Sequence, residues 1–545
     1  LFRSMLNFNY NINRFDIAAT VGWTGRYENM NNIRVSTNGG LVTENWFDLN
    51  ASRYTPSSTL QRMELLKTGY MGTLSLGWDN YLFLELTGRQ ERSSTLKDQS
   101  FFYPSANLSF LFTQAFHMPS WWNYGKLRLS YGIVGNAPET YTANIVYEQG
   151  SDNGFTWNTI PSSWGNADIR PEKKYEYEIG LESKFLNNRL GIDVSYYNNR
   201  VKDQILSTPQ PSTSGVKNVL MNVGEVANHG WDISISATPI LTRDFRWDLT
   251  ANYGVYKNKV VKLADGVPYL EILNSGGSGI KIQAVEGQPM GDIYAQVPQV
   301  NENGEYLVSD KGLYLNQTEL QKVGNINPAG VGGLFNSFSY KNVFLDFSID
   351  FRIGGDVINE MNQYATAVGL TPESLKYRDT EHGGLSYYYP GDNNSSGIPV
   401  QVDPSTGAGP NGEIIYHDGI ILPGVVASTG ERNTRIIPAG YYYNTTYNWG
   451  TEAEQLTYRH SVFDNSYVKL RELTIGYQFP EKMISKLGLG RLSVSVFGRN
   501  LFYFYKALKN YDAESSVGTS WANQATVGSS TTATRSFGVS LRASF

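Results

Sequence analysis

Apolar and polar residues alternate one by one along most of this chain, in short runs that come in pairs. The first run sets Leu6, Phe8, Tyr10 and Ile12 on one face and Asn7, Asn9 and Asn11 on the other. After Asn13–Arg14 a second run follows with Phe15, Ile17, Ala19, Val21 and Trp23. Period-two alternation is the mark of a strand with two unlike faces. Further pairs turn at Asp79–Asn80 (Leu74, Leu76, Trp78 into Leu82, Leu84, Leu86), at Asn187–Asn188 and between Pro239 and Asp244. Another turns at Lys341–Asn342, with Val343, Leu345, Phe347, Ile349 and Phe351 opposite Asp346, Ser348 and Asp350. The last run ends in Phe537, Val539, Leu541, Ala543 and Phe545. Val468 and Leu470 are out of phase with Leu473, Ile475 and Tyr477, which predicts a β-bulge near Glu472.

About fifteen strands result. Short turns join the members of each pair. Long stretches rich in Gly, Asn, Ser and Tyr separate the pairs, at about 27–60, 136–172, 202–226, 259–329, 356–463 and 506–532. Short turns on one side and long loops on the other characterise a transmembrane antiparallel β-barrel of the bacterial outer membrane. Arrays of β-sandwich domains alternate too, but their loops are short at both ends and the pattern repeats about every hundred residues. With Phe545 at the periplasmic end, the sorting puts Leu1 outside, running downward. The expectation is that earlier strands lie on a preceding segment, parted from this one by cleavage or missing from this sequence.

Composition changes this picture little. Mean hydropathy is −0.35, which suits a barrel, since only alternate strand residues meet lipid. Tyr (37), Phe (25) and Trp (11) are plentiful enough for aromatic girdles at both interfaces. No run reaches the roughly 20 apolar residues of a membrane helix. The net charge of −5 argues against nucleic acid as a partner. With no Cys, disulfides, thiolate metal sites and cysteine nucleophiles are excluded.

Catalytic motifs are missing. The five histidines, His117, His229, His382, His417 and His460, show no metal-ligand spacing, and there is no GxxxxGK[ST] or GxSxG. Alternating carboxylates such as Glu176, Glu178, Glu182, Asp346 and Asp350 suit a wet lumen wall better than a catalytic pair. The chain is therefore read as a non-enzyme without a cofactor. Asn301-Glu-Asn-Gly-Glu305 and Asp392-Asn-Asn394 gather calcium-type oxygens without the full spacing of a binding loop. Loop aromatics are the candidate ligand or partner contacts: Trp157, Trp164, Tyr388, Tyr389, Tyr443, Trp449 and Trp521.

Several segments, in order, resemble the SusC/RagA family of TonB-dependent transporters of Bacteroidetes outer membranes. They are Phe101-Phe-Tyr-Pro-Ser-Ala-Asn-Leu-Ser-Phe110, Lys126-Leu-Arg-Leu-Ser-Tyr-Gly-Ile-Val-Gly-Asn136, Tyr177-Glu-Ile-Gly-Leu-Glu182 and Phe185-Leu-Asn-Asn-Arg-Leu190. Asn222-Val-Gly-Glu-Val-Ala-Asn-His-Gly230, Gly287-Gln-Pro-Met-Gly291, Gly324-Asn-Ile-Asn-Pro328 and Gly498-Arg-Asn-Leu501 follow. The resemblance implies that residues 1–545 are the last fifteen strands or so of a 22-stranded barrel. It implies an N-terminal segment bearing the plug and the contact with the TonB complex. It implies a SusD-like surface lipoprotein as a lid, and oligosaccharides or peptides as substrates. A passive porin or structural barrel without an energised plug is the alternative.

Overall fold

The computed structural model describes residues 1–97, 100–152, 155–210, 213, 215–275, 279–391, 397–448, 457–516, 518, 520–528 and 533–544. Fifteen long strands carry the architecture. They are β1 (Phe2–Ile12), β2 (Phe15–Leu41), β3 (Ser52–Trp78), β4 (Leu82–Ser93), β5 (Ser100–Phe110), β6 (Trp122–Asn136), β7 (Glu172–Phe185) and β8 (Leu190–Lys202). The series continues with β9 (Glu225–Leu241), β10 (Phe245–Lys262), β11 (Gly330–Tyr340), β12 (Val343–Ile353), β13 (Tyr467–Gln478), β14 (Arg491–Lys506) and β15 (Ser536–Ser544). They form one 15-stranded sheet in strict chain order. Each strand neighbours its sequence neighbour, as the meander of an up-and-down barrel requires. Phe545, expected at the end of the last strand, lies outside the described residues.

The sheet shows the two predicted faces. Leu6 stands opposite Val21, Phe8 opposite Ala19 and Tyr10 opposite Ile17. Leu76 pairs with Leu84 and Leu74 with Leu86. These rings and branched chains are exposed, Phe8 at 58% and Leu541 at 68%, which in water would be an aggregation hazard. Against lipid tails it is the favoured state. Among the described residues no helix is long and apolar enough to cross a membrane.

The turn and loop sides sort as expected. Asp79 and Asn80 both have positive φ (53° and 58°), the geometry of a type I′ hairpin turn, where Asn and Asp are tolerated. The turn before β8 uses Leu186, Asn187 and Asn188 in the same region. One expectation fails. The stretch 27–60 is not a loop, because β2 and β3 stay paired as far as Leu41 opposite Ser52. A membrane strand needs only about 9–11 residues, so this hairpin rises well beyond the bilayer. Above the lipid both faces are wet, alternation is no longer needed, and residues such as Asn29, Asn31 and Asn32 leave no periodic trace. One connection on the loop side, 94–99, is also short.

The bulge is present. Ser348 faces Glu472 and Ile349 faces Leu470, which leaves Arg471 as the extra residue of β13. On the other side β14 bulges as well, since Leu470 faces Phe502 and Glu472 faces Arg499. Asn500 lies in that extra stretch with φ of 52°. An αL residue at a bulge is a familiar solution, and Asn is among the few non-glycine residues that accept it.

The chain divides into two compact units, Leu1–Ile233 with Asn258–Pro268, and Ser234–Lys257 with Tyr269–Phe545. The first has its own loop core of Leu96, Phe101, Ala137 and Ile169, with Ile205 and Leu220 packed against it. The second is richer in loop structure. Residues 263–329 carry a four-stranded sheet (Tyr269–Ser275, Ile280–Val285, Asp292–Ala295, Gln321–Asn325) that the sequence reading did not foresee. Residues 354–466 contribute two helices, α1 (Glu360–Ala367) and α2 (Ala439–Tyr447), and further short strands.

Candidate functional site: lumen wall and loop layer

Two features have the makings of a site: the polar face of the sheet and the loop layer of the second unit. On the polar face, charged residues are spent on one another. Arg128 donates to Asp193 at 2.6 Å and lies 3.5 Å from Glu182. Glu176 meets Lys174 at 2.5 Å and accepts from Asn199 at 3.1 Å. Ser337 Oγ donates to Asp346 at 2.6 Å. This is the ion-pair-laced surface of a wet wall, in which carboxylates are matched by cations and by hydroxyl or amide donors.

The long loops of the second unit are interlocked. Ile280, Ile282, Ile293, Ala295 and Ile326 from residues 263–329 pack with Ile358, Tyr458 and Val462 from residues 354–466. Ala522 and Ala525 from residues 507–535 complete this core. Burying side chains of this size contributes about 1.5–3 kcal/mol for each large one, so three connections are fused into one body. Gly279 shows how tightly: a Cβ there would lie 2.0 Å from the Tyr458 ring. Backbone pairing joins the same three segments, with Val527 N–H donating to Ile358 O at 2.8 Å and Arg459 N–H to Gln296 O at 3.2 Å.

Two motifs singled out in the sequence prove to be fasteners of this layer. Asn325 donates to Asp292 at 2.7 Å, and Asn327 donates to Met290 O at 2.6 Å. Asp292 is fully buried and also meets Lys322 at 2.7 Å. Gly291 needs to be glycine twice over, with φ of +93° and the Trp521 ring 2.9 Å from where a Cβ would stand. Thus 287–291, 324–328 and Trp521 are built to fit together.

The bulge in β13 supplies a second fastener. Arg471 donates to Glu514 at 2.8 and 2.6 Å, to Asp350 at 3.1 Å and to Asn500 at 3.0 Å. Lys469, only 2% exposed, donates to the same Glu514 at 2.6 Å, with its ammonium 4.8 Å from the Tyr503 ring centre. Burial raises the Glu514 carboxyl, but the hydrogen bonds from Arg471 and Lys469 overcome it and hold the group at about 2. The segment around Glu514 is thereby strapped to the wall. The sequence signal was the phase slip at Glu472, which marked the bulge but not its partners.

The predicted aromatics fall into three kinds. Tyr389 and Tyr443 are buried, at 5% and 4% exposure, and serve packing. Tyr443 Oη donates to Glu373 O and Lys376 O, with the Arg378 guanidinium over its ring at 5.2 Å. Trp164 is half-buried edge-on against Tyr147, and Tyr388 is half-buried in a strand pair with Val400. Trp157 (47%) and Trp521 (38%) keep exposed ring surface. Trp449 lies outside the described residues, as does Asp392–Asn394. In the other calcium-like segment, Asn301 Oδ1 accepts from the backbone N–H groups of Asn303 and Glu305, at 3.0 and 2.9 Å. Its oxygen is occupied in closing a turn. Among the described residues no group of three or more His, Asp or Glu gathers as metal ligands do.

Tyrosines in the loop layer are shielded further. Tyr442 and Tyr447, on α2, are both raised, first by burial. His460 stacks on Tyr447 at 4.3 Å, and burial together with Arg459 lowers its imidazole to about 4.

The family model described as TonB dependent receptor-like, beta-barrel, matches residues 2–289. The chain is 24% identical over 494 residues to TonB-dependent receptor P3 of Formosa agariphila, covering 82% of this chain and 42% of that protein. It is 30% identical over 247 residues to TonB-dependent receptor SusC of Bacteroides thetaiotaomicron, covering 42% of this chain and 24% of that one. A solved structure of the RagAB peptide transporter superposes with a TM-score of 0.65 at 18% identity, over 92% of this chain and 51% of that chain. The chain thus spans less than half the length of these curated relatives.

Proposed function

The chain belongs to the TonB-dependent receptor-like β-barrel family of the outer membrane, and from that premise we propose that it forms the C-terminal part of a nutrient importer. In this reading a preceding segment supplies the remaining strands and a plug, and the TonB complex moves that plug. A SusD-like surface lipoprotein closes over the loops, and an oligosaccharide or peptide is held between lid and barrel. The barrel performs no covalent chemistry.

The observation that carries the reading is the fused loop layer. A passive pore gains nothing from three connections packed into one buried core (Ile280, Ile282, Ile293, Ile358, Tyr458, Ala525). A rigid platform is what a large, stable protein partner needs, since such interfaces bury more than about 2,000 Å². Likeness to SusC in sequence, and in fold to the RagAB peptide transporter, supports an importer of this kind. The exposed rings of Trp157 and Trp521 are the proposed ligand or partner contacts, with half-buried Trp164 and Tyr388 beside them.

The test is energised uptake in cells. Strains carrying the intact gene, with and without a functional TonB, are fed labelled oligosaccharide and peptide mixtures. Uptake of one class that disappears without TonB is the expected result. Uptake indifferent to TonB would leave a passive pore.

A further inference from the structure

The polar face of β1–β5 changes charge character along its height. Near the short turns a recess of about 470 Å³ is lined by Asn9, Asn11, Asp16, Glu85 and Asn107, amides and acids. Toward the loop side a second recess of about 410 Å³ is lined by Arg3, Arg26, Lys67 and Arg89, with Thr24 and Glu91. The arrangement is costly as it stands. Arg26 and Lys67 are direct cross-strand partners, and like charges directly opposite on one face destabilise a sheet. Arg3 is opposite Thr24, two residues from Arg26 on the same face.

Only part of this charge is neutralised locally. Arg26 pairs with Glu28. Arg89 pairs with Glu91 at 2.7 Å and donates to Thr24 at 3.3 Å. Among the described residues no acid meets Arg3 or Lys67. With a rise of about 3.3 Å per residue and a tilt near 40°, the Arg26–Lys67 pair stands about 28 Å above the turn ends. That is the height at which the lipid-spanning part of the wall ends and the β2–β3 hairpin continues outward.

We infer that this cluster is an anion-binding site, built to hold an oxyanion group (carboxylate or sulfate ester) of the transported solute. The import reading supplies only the source of that anion. Planar guanidinium groups on Arg3, Arg26 and Arg89 bind such oxygens in bidentate fashion, with Lys67 as a point charge among them. The acids of the recess below, Asp16 and Glu85, repel the same group, so the anion is held at this height before the solute passes inward. A carboxylate of the plug is the competing occupant.

The intact transporter, plug included, is purified in detergent, and its thermal midpoint is compared in 10 mM sulfate and in chloride of equal ionic strength. Wild type is expected to rise by about 1–2 °C in sulfate, and R26Q/K67Q to lose that rise. In chloride the double variant is expected to melt at or above wild type, because the opposed charges are gone. Crystals soaked in selenate should show an anomalous peak between Arg26 and Lys67 in wild type and none in the variant. A midpoint insensitive to sulfate, no selenate peak, and a variant that melts lower in chloride would overturn the inference and place a plug carboxylate there. Sulfate binding without energised uptake leaves this site standing and removes the import reading; uptake without sulfate binding does the reverse.

Discussion

Replacing Glu514 by Gln should release the strap formed by the segment around it. The carboxylate accepts three charge-assisted hydrogen bonds from two cations: Arg471 at 2.8 and 2.6 Å and Lys469 at 2.6 Å. Its side chain is 29% exposed. Holding a carboxyl at about 2 instead of the usual 4.5 corresponds to about 3 kcal/mol of differential interaction, at roughly 1.4 kcal/mol per unit. Replacing the carboxylate by an amide also leaves Lys469, 2% exposed, as a buried charge without its counter-ion, which adds cost in the same direction. The readout is native-state hydrogen exchange of the amides in 507–528. A loss of about 3 kcal/mol speeds their exchange on the order of a hundredfold, while strands β1–β5 remain unaffected. The double variant K469M/E514M should recover most of the protection, since two apolar groups of similar length replace the pair. The sign of the pH effect follows from the same group. Its folded value is depressed, so its stabilisation is complete above about 4.5 and is lost as pH falls toward about 2. Exchange in E514Q within threefold of wild type at neutral pH would refute the strap.

Three further outcomes are expected. G279A pushes a methyl into Tyr458, 2.0 Å away; about 1–3 kcal/mol of overpacking should make the loop layer cleavable by protease at concentrations that spare wild type. His460, lowered to about 4 by burial, favours the neutral ring, so loop-layer stability should fall as pH drops from 6.5 to 4, and H460F should flatten that part of a pH–melting curve. N500V places a β-branched residue at φ of 52° and should cost about 1–3 kcal/mol, whereas N500G keeps the backbone and loses only the side-chain bonds to Arg471 and Thr534 O; chemical denaturation in detergent separates the two.

Much of the membrane part was legible because lipid enforces alternation. Every strand that crosses it, from Leu6–Ile12 to Phe537–Ala543, had to place an apolar residue outward at each second position. The bulge at Arg471 was visible for the same reason, as a break in phase. Where lipid ends, the signal ends. The paired stretch 27–41 with 52–66 reads as loop because water accepts polar residues on both faces. The four-stranded sheet in 263–329 was hidden differently: Ile280 and Ile282 alternate with Lys281, but the run is short and its partners, such as Tyr458, lie far along the chain. Ring counting also misled in part. Tyr389 and Tyr443 look like ligand contacts in sequence, yet only tertiary packing decides which rings stay exposed, and it buries both. The clustered cations escaped notice because Arg3, Arg26, Lys67 and Arg89 are scattered over four strands and meet only through register.

The most direct test of an energised importer is purification of the native complex from outer membrane in mild detergent, followed by intact mass spectrometry. A co-purifying lipoprotein, together with a plug-bearing N-terminal segment of the same gene product, is the expected result. Residues 1–545 recovered alone, closing into a smaller barrel with neither companion, would contradict it and leave a porin.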